Sequence, residues 1–508
     1  MIGTGGFEPV LISGWDDYDD RFGGIRDTGS EELPAFTDQM GYAVYAFFRN
    51  GGGKAYIIRT ATGGDESTSS YNDNSNPLIH FTAANAGVWG DELVVQISGK
   101  SGLDQAGING GDKVEFNIAI GNIVDGGFVT LELFTNVSLD PQDSAYIVSK
   151  INDASELIIV SIEGPDETTQ DTNAVTAEAS LITDLFPTTS GSTPNKSYEQ
   201  ITLTGGIDGS PGVQNDYDTV FTALLKYRDV NIICLPGEYW SDDGTPNTIV
   251  ESAIAHCQTM KNRMVIVDPP SGIEFGNEKE ISDLSLPTKT YAALYYPWVK
   301  ANNPYYDADT NPGVPSTLLV APSGYAAGMW AKIDEKRGIW KAPAGIETQL
   351  LSASGFEYVV EDSEQDYLNP MGVNAFRTLP NYGRVIWGTR TLATKADPEW
   401  RYIPVRRTAM LIEESVYNGI QWAVFEPNNH LLWSALRSNI GSFMNGLFRA
   451  GAFQGEKASD GYFVRCGLGD TMTQGDIDRG QVIVIVGFEA LIPAEFVIVR
   501  IQQKVNQE

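Results

Sequence analysis

Two apolar runs separated by a helical stretch constrain this chain most. Val230–Leu235 (VNIICL) and Met264–Asp268 (MVIVD) offer almost no polar position that could face water. A half-exposed strand alternates apolar and polar residues, so an unbroken run requires cover on both faces. Val220, Phe221, Leu224 and Leu225 recur at helical spacing before the first run, and a second helix passes through Ile254 and Cys257. Helix–strand–helix–strand with apolar strands predicts an α/β layer whose sheet is covered on both faces.

The strongest helix signal lies nearer the C-terminus. Leu432, Trp433, Leu436, Ile440, Phe443, Met444, Leu447 and Phe448 form one stripe, with Asn428 or Asn429 as N-cap and Gly451 at the end. A helix around Arg407–Val416 and a strand at Gln421–Phe425 precede it. Two strands, Val482–Phe488 and Phe496–Ile501, are expected after it. Together these predict an α+β C-terminal domain.

At the other end, residues 31–50 read as a helix stopped by Gly51-Gly52-Gly53, followed by a strand at Lys54–Thr60. From about Tyr71 the pattern becomes short alternating runs between Asn, Asp, Ser and Gly: Glu92–Ser98, Lys113–Ile120, Phe128–Phe134 and Glu156–Ile162. This predicts a β-rich surface insertion that fades into a loop, PTTSGSTPNKS (187–197).

At 508 residues the chain exceeds one ordinary core, so two to four domains are expected. The formal net charge of −32 argues against nucleic acid as a partner, since phosphate would be repelled. It suits solubility or, as a sharper reading, a protein made in many copies that must not associate too early. No apolar run is long enough for a membrane helix, and no secretory signal opens the chain. Cys234, Cys257 and Cys466 lack metal or disulfide spacing and read as reduced core thiols.

Motifs for chemistry fail on inspection. GGGKA (51–55) needs glycine where Phe48 stands and a hydroxyl where Ala55 stands to be a phosphate loop. GTGGFE (3–8) puts Glu8 at the last glycine of a dinucleotide fingerprint. DADTNPG (307–313) starts like a calcium loop but has Pro312 at the glycine and Leu318 at the terminal glutamate, so it reads as a turn. Only His80, His256 and His430 are available as bases, and His256 reads as a core or helix-surface residue. Ser323 lies in Pro-Ser-Gly rather than in a nucleophile elbow, and it reads as a turn residue. No catalytic residue, metal site or cofactor is assigned. An α/β hydrolase with a β-rich binding insertion stays as the alternative, and a surface-layer or adhesin protein as a third reading.

Seven segments, in order, carry a resemblance: LTGGIDGS (203–210), AALYYPWVKANNP (292–304), VPSTLLVAPSGYAAGMWAKIDEKRGIWKAPAG (314–345), LNPMGVNAFR (368–377), WRYIPVRRTAMLIEESV (400–416), LFRAGAFQG (447–455) and PAEFVIVRIQQ (493–503). The chain resembles the contractile tail sheath protein family of bacteriophage tails, R-type bacteriocins and phage-like contractile injection systems. The resemblance spans about residues 5–503 and is strongest over 290–345 and 400–503.

What this resemblance implies is a structural subunit, not an enzyme. It polymerises helically with itself around an inner tube, between a baseplate and a tail-terminator or cap. It then contracts to drive the tube through a target envelope, without nucleic acid and without inserting into a membrane. Assembly in the bacterial cytoplasm, within a virion tail or an injection particle, follows. The implied domains are 1–75 (core, first part), 76–199 (β-rich surface insertion), 200–365 (core α/β, second part) and 366–508 (C-terminal sheath domain). The fold class is therefore α/β and α+β multidomain, with a covered mixed sheet in the core. Family members add terminal arms as strands to a neighbour's sheet, a role that falls here on Phe496, Val497, Ile498, Val499, Arg500 and Ile501. Relatives also carry an N-terminal arm; this chain starts almost at the core with FEPVLISGWDDYDDRFGG, which implies a shorter arm or one outside this chain. The stripe helix resembles the tube-facing helix, with Arg437 and Arg449 available to acidic tube residues or, as the alternative, solvated or bound to carboxylates of their own domain. Lys336 and Arg337, in a block mixing aromatics and charges, are expected at an inter-subunit surface, the alternative being an amphipathic surface helix, Met329–Arg337, ended by Gly338.

Overall fold

The computed structural model describes residues 9–25, 38–73, 76–109, 113–124, 126–163, 167–189, 192–240, 245–274, 281–393 and 397–494. The chain forms two units: Met1–Gly24 with Tyr56–Leu224, and Ile25–Ala55 with Leu225–Glu508. Helix α1 (Gln39–Arg49) belongs to the second; the side chain of Asp38 caps it, accepting from the Gly41 N–H at 2.9 Å. Of the helix expected over 31–50, residues 31–37 lie outside the described residues.

The first unit is built on two antiparallel sheets. One joins β1 (Glu66–Asp73), β2 (Asn76–Ala86) and β6 (Ile158–Ile162). The other has the order β7-β3-β4-β5, with β3 Leu93–Gly99, β4 Phe116–Val124, β5 Gly127–Val137 and β7 Glu199–Thr202. The alternation that predicted strands is the alternation of burial: Ile158, Val160 and Ile162 are buried, Ile159 and Ser161 exposed. Both sheets share one core, which Ala174, Ala177, Leu181 and Leu185 of helix α2 (Glu167–Leu185) help to close. That helix was not expected from the sequence. Much of its buried stripe is alanine and its surface is threonine-rich, so neither apolar contrast nor propensity marks it.

In the second unit the central sheet has the order β8-β9-β10-β14-β15: Ile232–Tyr239, Met264–Asp268, Ala292–Tyr296, Val373–Leu379 and Gly383–Ile386. The first four strands run parallel and β15 antiparallel, giving an open mixed sheet. Every residue of β9 and β10 is buried, so both faces are covered as expected. β8 departs from expectation. It is an edge strand and most of its residues are only partly buried, although VNIICL is as apolar as MVIVD. Helix α3 (Thr248–Met260) packs on β8 and β9. A small antiparallel sheet, β12-β11-β13 (Thr317–Val320, Val299–Asn302, Ala353–Phe356), leads into helix α4 (Ser323–Arg337).

Glycines set the packing of α4 against α1. An added Cβ at Gly324 would meet the Ala43 carbonyl oxygen at 2.4 Å, and one at Gly328 the Phe47 carbonyl at 2.5 Å. The two backbones therefore touch, and a larger residue has no room.

The C-terminal part of this unit consists of α5 (Ile403–Gly419), α6 (His430–Arg449) and a two-stranded antiparallel sheet of β16 (Tyr462–Arg465) and β17 (Ile485–Phe488). Helix α6 is as expected. Leu432, Leu436, Ile440 and Met444 are buried, Asn429 caps the Leu431 and Leu432 N–H groups, and Gly451 follows at φ +83°. The strand expected at Gln421–Phe425 is instead a tight turn. The Ala423 N–H donates to the Ile420 carbonyl at 2.9 Å, and Phe425 takes φ +70°, which no strand tolerates.

Candidate functional site

The residue that first invites a catalytic reading is sealed. Ser323 has no exposed surface; its Oγ donates to Asp268 Oδ2 at 2.6 Å and its N–H to Oδ1 at 2.8 Å. The pair joins the C-terminal end of β9 to the first turn of α4, where a carboxylate meets unsatisfied helix N–H groups. Burial pushes the Asp268 carboxyl up to about 7 despite both Ser323 bonds. The Cys234 thiol donates toward the Ser323 carbonyl at 3.8 Å and is pushed up by burial, then by Asp268. A serine that substrate cannot reach is a helix anchor, not a nucleophile. His256 is buried beside the Arg263 guanidinium at 3.1 Å, and burial first, then that charge, lowers it to about 4. All three cysteines are free. Asp307 closes its own turn, accepting from the N–H groups of Asp309 and Thr310 at 2.8 Å each. Among the described residues no three His, Cys, Asp or Glu side chains gather to hold a metal.

Helix α4 changes character along its length. Ser323–Trp330 and Ile333 are buried. Trp330 donates its indole N–H to the Tyr295 hydroxyl at 2.6 Å. The Arg407 guanidinium lies over the same indole, 4.7 Å from its centroid, and grips Asp334 through two bonds of 2.9 and 2.5 Å. Lys336 and Arg337, at the last turn, are exposed, and Arg337 pairs with Glu347 at 2.5 Å.

Beyond that turn the surface is hollowed. One hollow, of about 700 Å³, has Trp340 and Trp387 in its walls, Arg337, Lys341, Asp362, Asp366 and Arg377 among its charged lining, and Leu491–Ala494 along one side. Gln365, Asn369 and Thr389 line it, and among the described residues their Oε1, Oδ1 and Oγ1 atoms are buried without a hydrogen-bond partner. A second hollow, of about 750 Å³, runs between α5 and β17. Its helical wall is the row Val405, Ala409, Ile412, Val416 and Ile420, and Val486 and Phe488 of β17 line the opposite side. Among the described residues β17 pairs with one strand only, β16.

Arg437 and Arg449 are both exposed on α6 but do not share a row. Twelve residues at ~100° each set them about 120° apart around the axis. Arg437 donates to the Cys466 carbonyl and, at 2.9 Å, to Ser434 Oγ. Arg449 makes no ion pair among the described residues. Phe496, Val497, Ile498, Val499, Arg500 and Ile501 lie outside the described residues. Missed in the sequence was Phe425, fully exposed between Val424 and Glu426; its positive φ is the signal, and no residue pattern announces it.

Known proteins give these features a context. Two family models match in tandem: the phage tail sheath protein central domain over residues 212–392, and the phage tail sheath C-terminal domain over 395–504. A curated prophage major tail sheath protein of Pseudomonas aeruginosa (strain UCBPP-PA14) is 26% identical over 134 residues, 26% of this chain and 34% of that relative's length. A chain in the baseplate structure of the anti-feeding prophage is 31% identical, covering 59% of this chain and 78% of that one, with a TM-score of 0.47. A contracted sheath complex of an extracellular contractile injection system is 23% identical, covers 98% of this chain and 88% of that one, and has a TM-score of 0.52. The tandem matches take in more than half of the sequence, and the contracted sheath has the same fold over nearly its whole length. The chain belongs to the phage tail sheath protein family.

Proposed function

We propose that this protein is the repeating structural subunit of a contractile sheath. Copies stack helically around an inner tube, and their rearrangement drives the tube through a target envelope. The energy lies in the difference between two packings of the same subunits, so no nucleotide site is needed. The observation that carries this reading is the hollow between α5 and β17. An apolar helix row faces a strand that has one open side among the described residues, which is the shape an added strand fills.

The segment Phe496–Ile501 supplies such a strand in a neighbouring copy, with Phe496, Ile498 and Arg500 on one side and Val497, Val499 and Ile501 on the other. A backbone ladder of this kind survives while rigid bodies rotate. Arg437 and Arg449 face the tube, Lys336 and Arg337 lie between subunits, and 76–199 decorates the outside. The core is shared between 1–75 and 200–365, and 366–508 forms the tube-side domain. The baseplate and a terminator or cap bound the polymer. Assembly takes place in the bacterial cytoplasm, and the product is carried in a virion tail or injection particle. No helix among the described residues is long and apolar enough to cross a membrane. The hydrolase alternative loses its nucleophile to the buried Ser323–Asp268 pair.

Electron microscopy of purified protein tests the proposal. Full-length chain should form tubes or short helical stacks, and a chain ending at residue 494 should stay folded and monomeric. Full-length protein that stays monomeric with its tube partner present would refute the reading.

A further inference from the structure

The turn between α5 and α6 carries an unusual cluster. Trp422, Val424 and Phe425 are all exposed, and Phe425 is completely so while holding φ +70°. That conformation is unfavourable for a residue with a Cβ, and no contact to its own ring compensates it. The turn is nevertheless firmly held. Asn428 accepts from the Trp433 indole at 2.8 Å and donates to the Gln481 carbonyl at 3.0 Å, while Asn429 caps α6. The fold thus presents an aromatic knob to something outside itself.

We propose that this knob docks into the Trp340–Trp387 hollow of a second copy of the chain. The inference rests on the sheath reading and deepens it by naming one contact between subunits. Three observations select this occupant. The hollow has aromatic walls in Trp340 and Trp387. The knob brings the exposed Phe425 ring and the Trp422 indole, which is 45% exposed.

Charge also matches. Glu426 is the single charge of the turn. On the hollow's rim Arg337 is paired with Glu347 and Arg377 with Asp362. Among the described residues Lys341 donates only to the Ala342 carbonyl, leaving it the cation open to Glu426. Asp366 is the opposing rim charge, so the docked turn must put Glu426 on the Lys341 side.

Finally, a chain cannot fill its own hollow. Phe425 lies before the first residue of the 20-residue α6, and Gly451, which lines the hollow, lies just past its last. The two ends of such a helix are about 30 Å apart. A patch that meets a different patch on the next copy propagates head to tail, and where the rotation does not close it produces an open helical filament.

The test is sheath formation by the full chain, read by electron microscopy and sedimentation, with melting temperature as the folding control. Phe425→Ala and Trp387→Ala should each cut polymer yield about tenfold without lowering the melting temperature. Glu426→Lys and Lys341→Glu should each do the same, and the double exchange should recover yield to within about twofold of wild type. Phe425→Ala at wild-type yield, or a double exchange no better than either single, would overturn the docking while leaving the sheath reading intact. Wild-type protein that never polymerises would instead sink the sheath reading and this contact with it.

Discussion

The central sheet with α1 and α4 and the C-terminal part with α5, α6, β16 and β17 belong to one unit yet are built on opposite lines. In the first, β9 and β10 are buried at every position, two helix backbones touch through Gly324 and Gly328, and the buried charge of Arg407 is matched bond for bond by the half-buried Asp334. In the second, side chains leave a hollow of about 750 Å³ between α5 and β17, and Tyr417, Trp422, Val424, Phe425 and Leu431 stand exposed. A body that must turn as a rigid piece needs the first construction. A body that must exchange partners needs the second. The contrast implies that substitutions at the buried positions of the first act on folding and those at the exposed positions of the second on assembly.

The largest effect should come from Trp330→Ala. The side chain is fully buried between Tyr295 and Arg407, and its loss should destabilise the unit by about 4 kcal/mol. Urea unfolding measures this; a change below about 1 kcal/mol would break the claim that this region is close-packed.

Next comes a pH effect seated in the same region. Asp268 has its folded pKa raised to about 7 from 3.8, so it holds a proton in the fold that the unfolded chain releases. Its contribution is full below pH 3.8 and falls as pH rises toward 7. His256 has its folded pKa lowered to about 4 from 6.5, so its contribution is full above 6.5 and falls as pH drops toward 4. Between about pH 4 and 6.5 the two slopes oppose each other. Asp268→Asn keeps an acceptor for the Ser323 N–H and removes one slope, so stability of the variant relative to wild type should rise with pH across that window, by a few kcal/mol in total. Denaturant melts at pH 4.5, 5.5 and 6.5 would show it; parallel curves for variant and wild type would contradict it.

These two sites also mark where sequence patterns inform and where they do not. MVIVD and the α6 stripe were legible because burial on two faces, or along one row, leaves a periodic trace. VNIICL carries the same trace but sits at a sheet edge, because composition records how apolar a strand is and not which neighbours it has. Helix α2 was illegible because alanine makes a buried stripe without contrast. The Ser323–Asp268 pair joins residues 55 apart, and no local spacing encodes it. For the candidate interfaces, Lys336, Arg337, Arg437 and Arg449 could be nominated from charge and helix position. The hollows could not, since each is lined from several separated segments. Phe425 was read as part of a strand because its sequence, QWAVF, has strand composition and only the backbone angle contradicts it.

A smaller effect on folding is expected from Lys336→Glu with Arg337→Glu. The Arg337–Glu347 pair is about half exposed on both sides, so the folded monomer should change by no more than about 1 kcal/mol. Sheath length should nonetheless fall, since Arg337 lines the aromatic hollow. Normal sheaths from this double variant would remove that surface from the interface.

The least effect on the monomer should come from the two arginines of α6, and here they should part company. Arg437 donates to the Cys466 carbonyl and to Ser434, so Arg437→Glu removes bonds within the fold and should lower stability by about 1 kcal/mol. Arg449 has no such bond among the described residues and stands at the exposed end of the helix, beside its negative dipole end. Arg449→Glu should therefore cost the monomer only about 0.5 kcal/mol. If α6 faces the tube, Arg449 is the freer of the two to meet an acidic partner, and its reversal alone should lower the yield of tube-filled sheaths at low salt. That loss should shrink as salt is raised, because exposed pairs are screened within about 8–10 Å at physiological ionic strength. Co-assembly that depends on Arg437 and ignores Arg449 would turn the helix the other way about its axis, placing the tube on the face that carries Arg437 and Ser434.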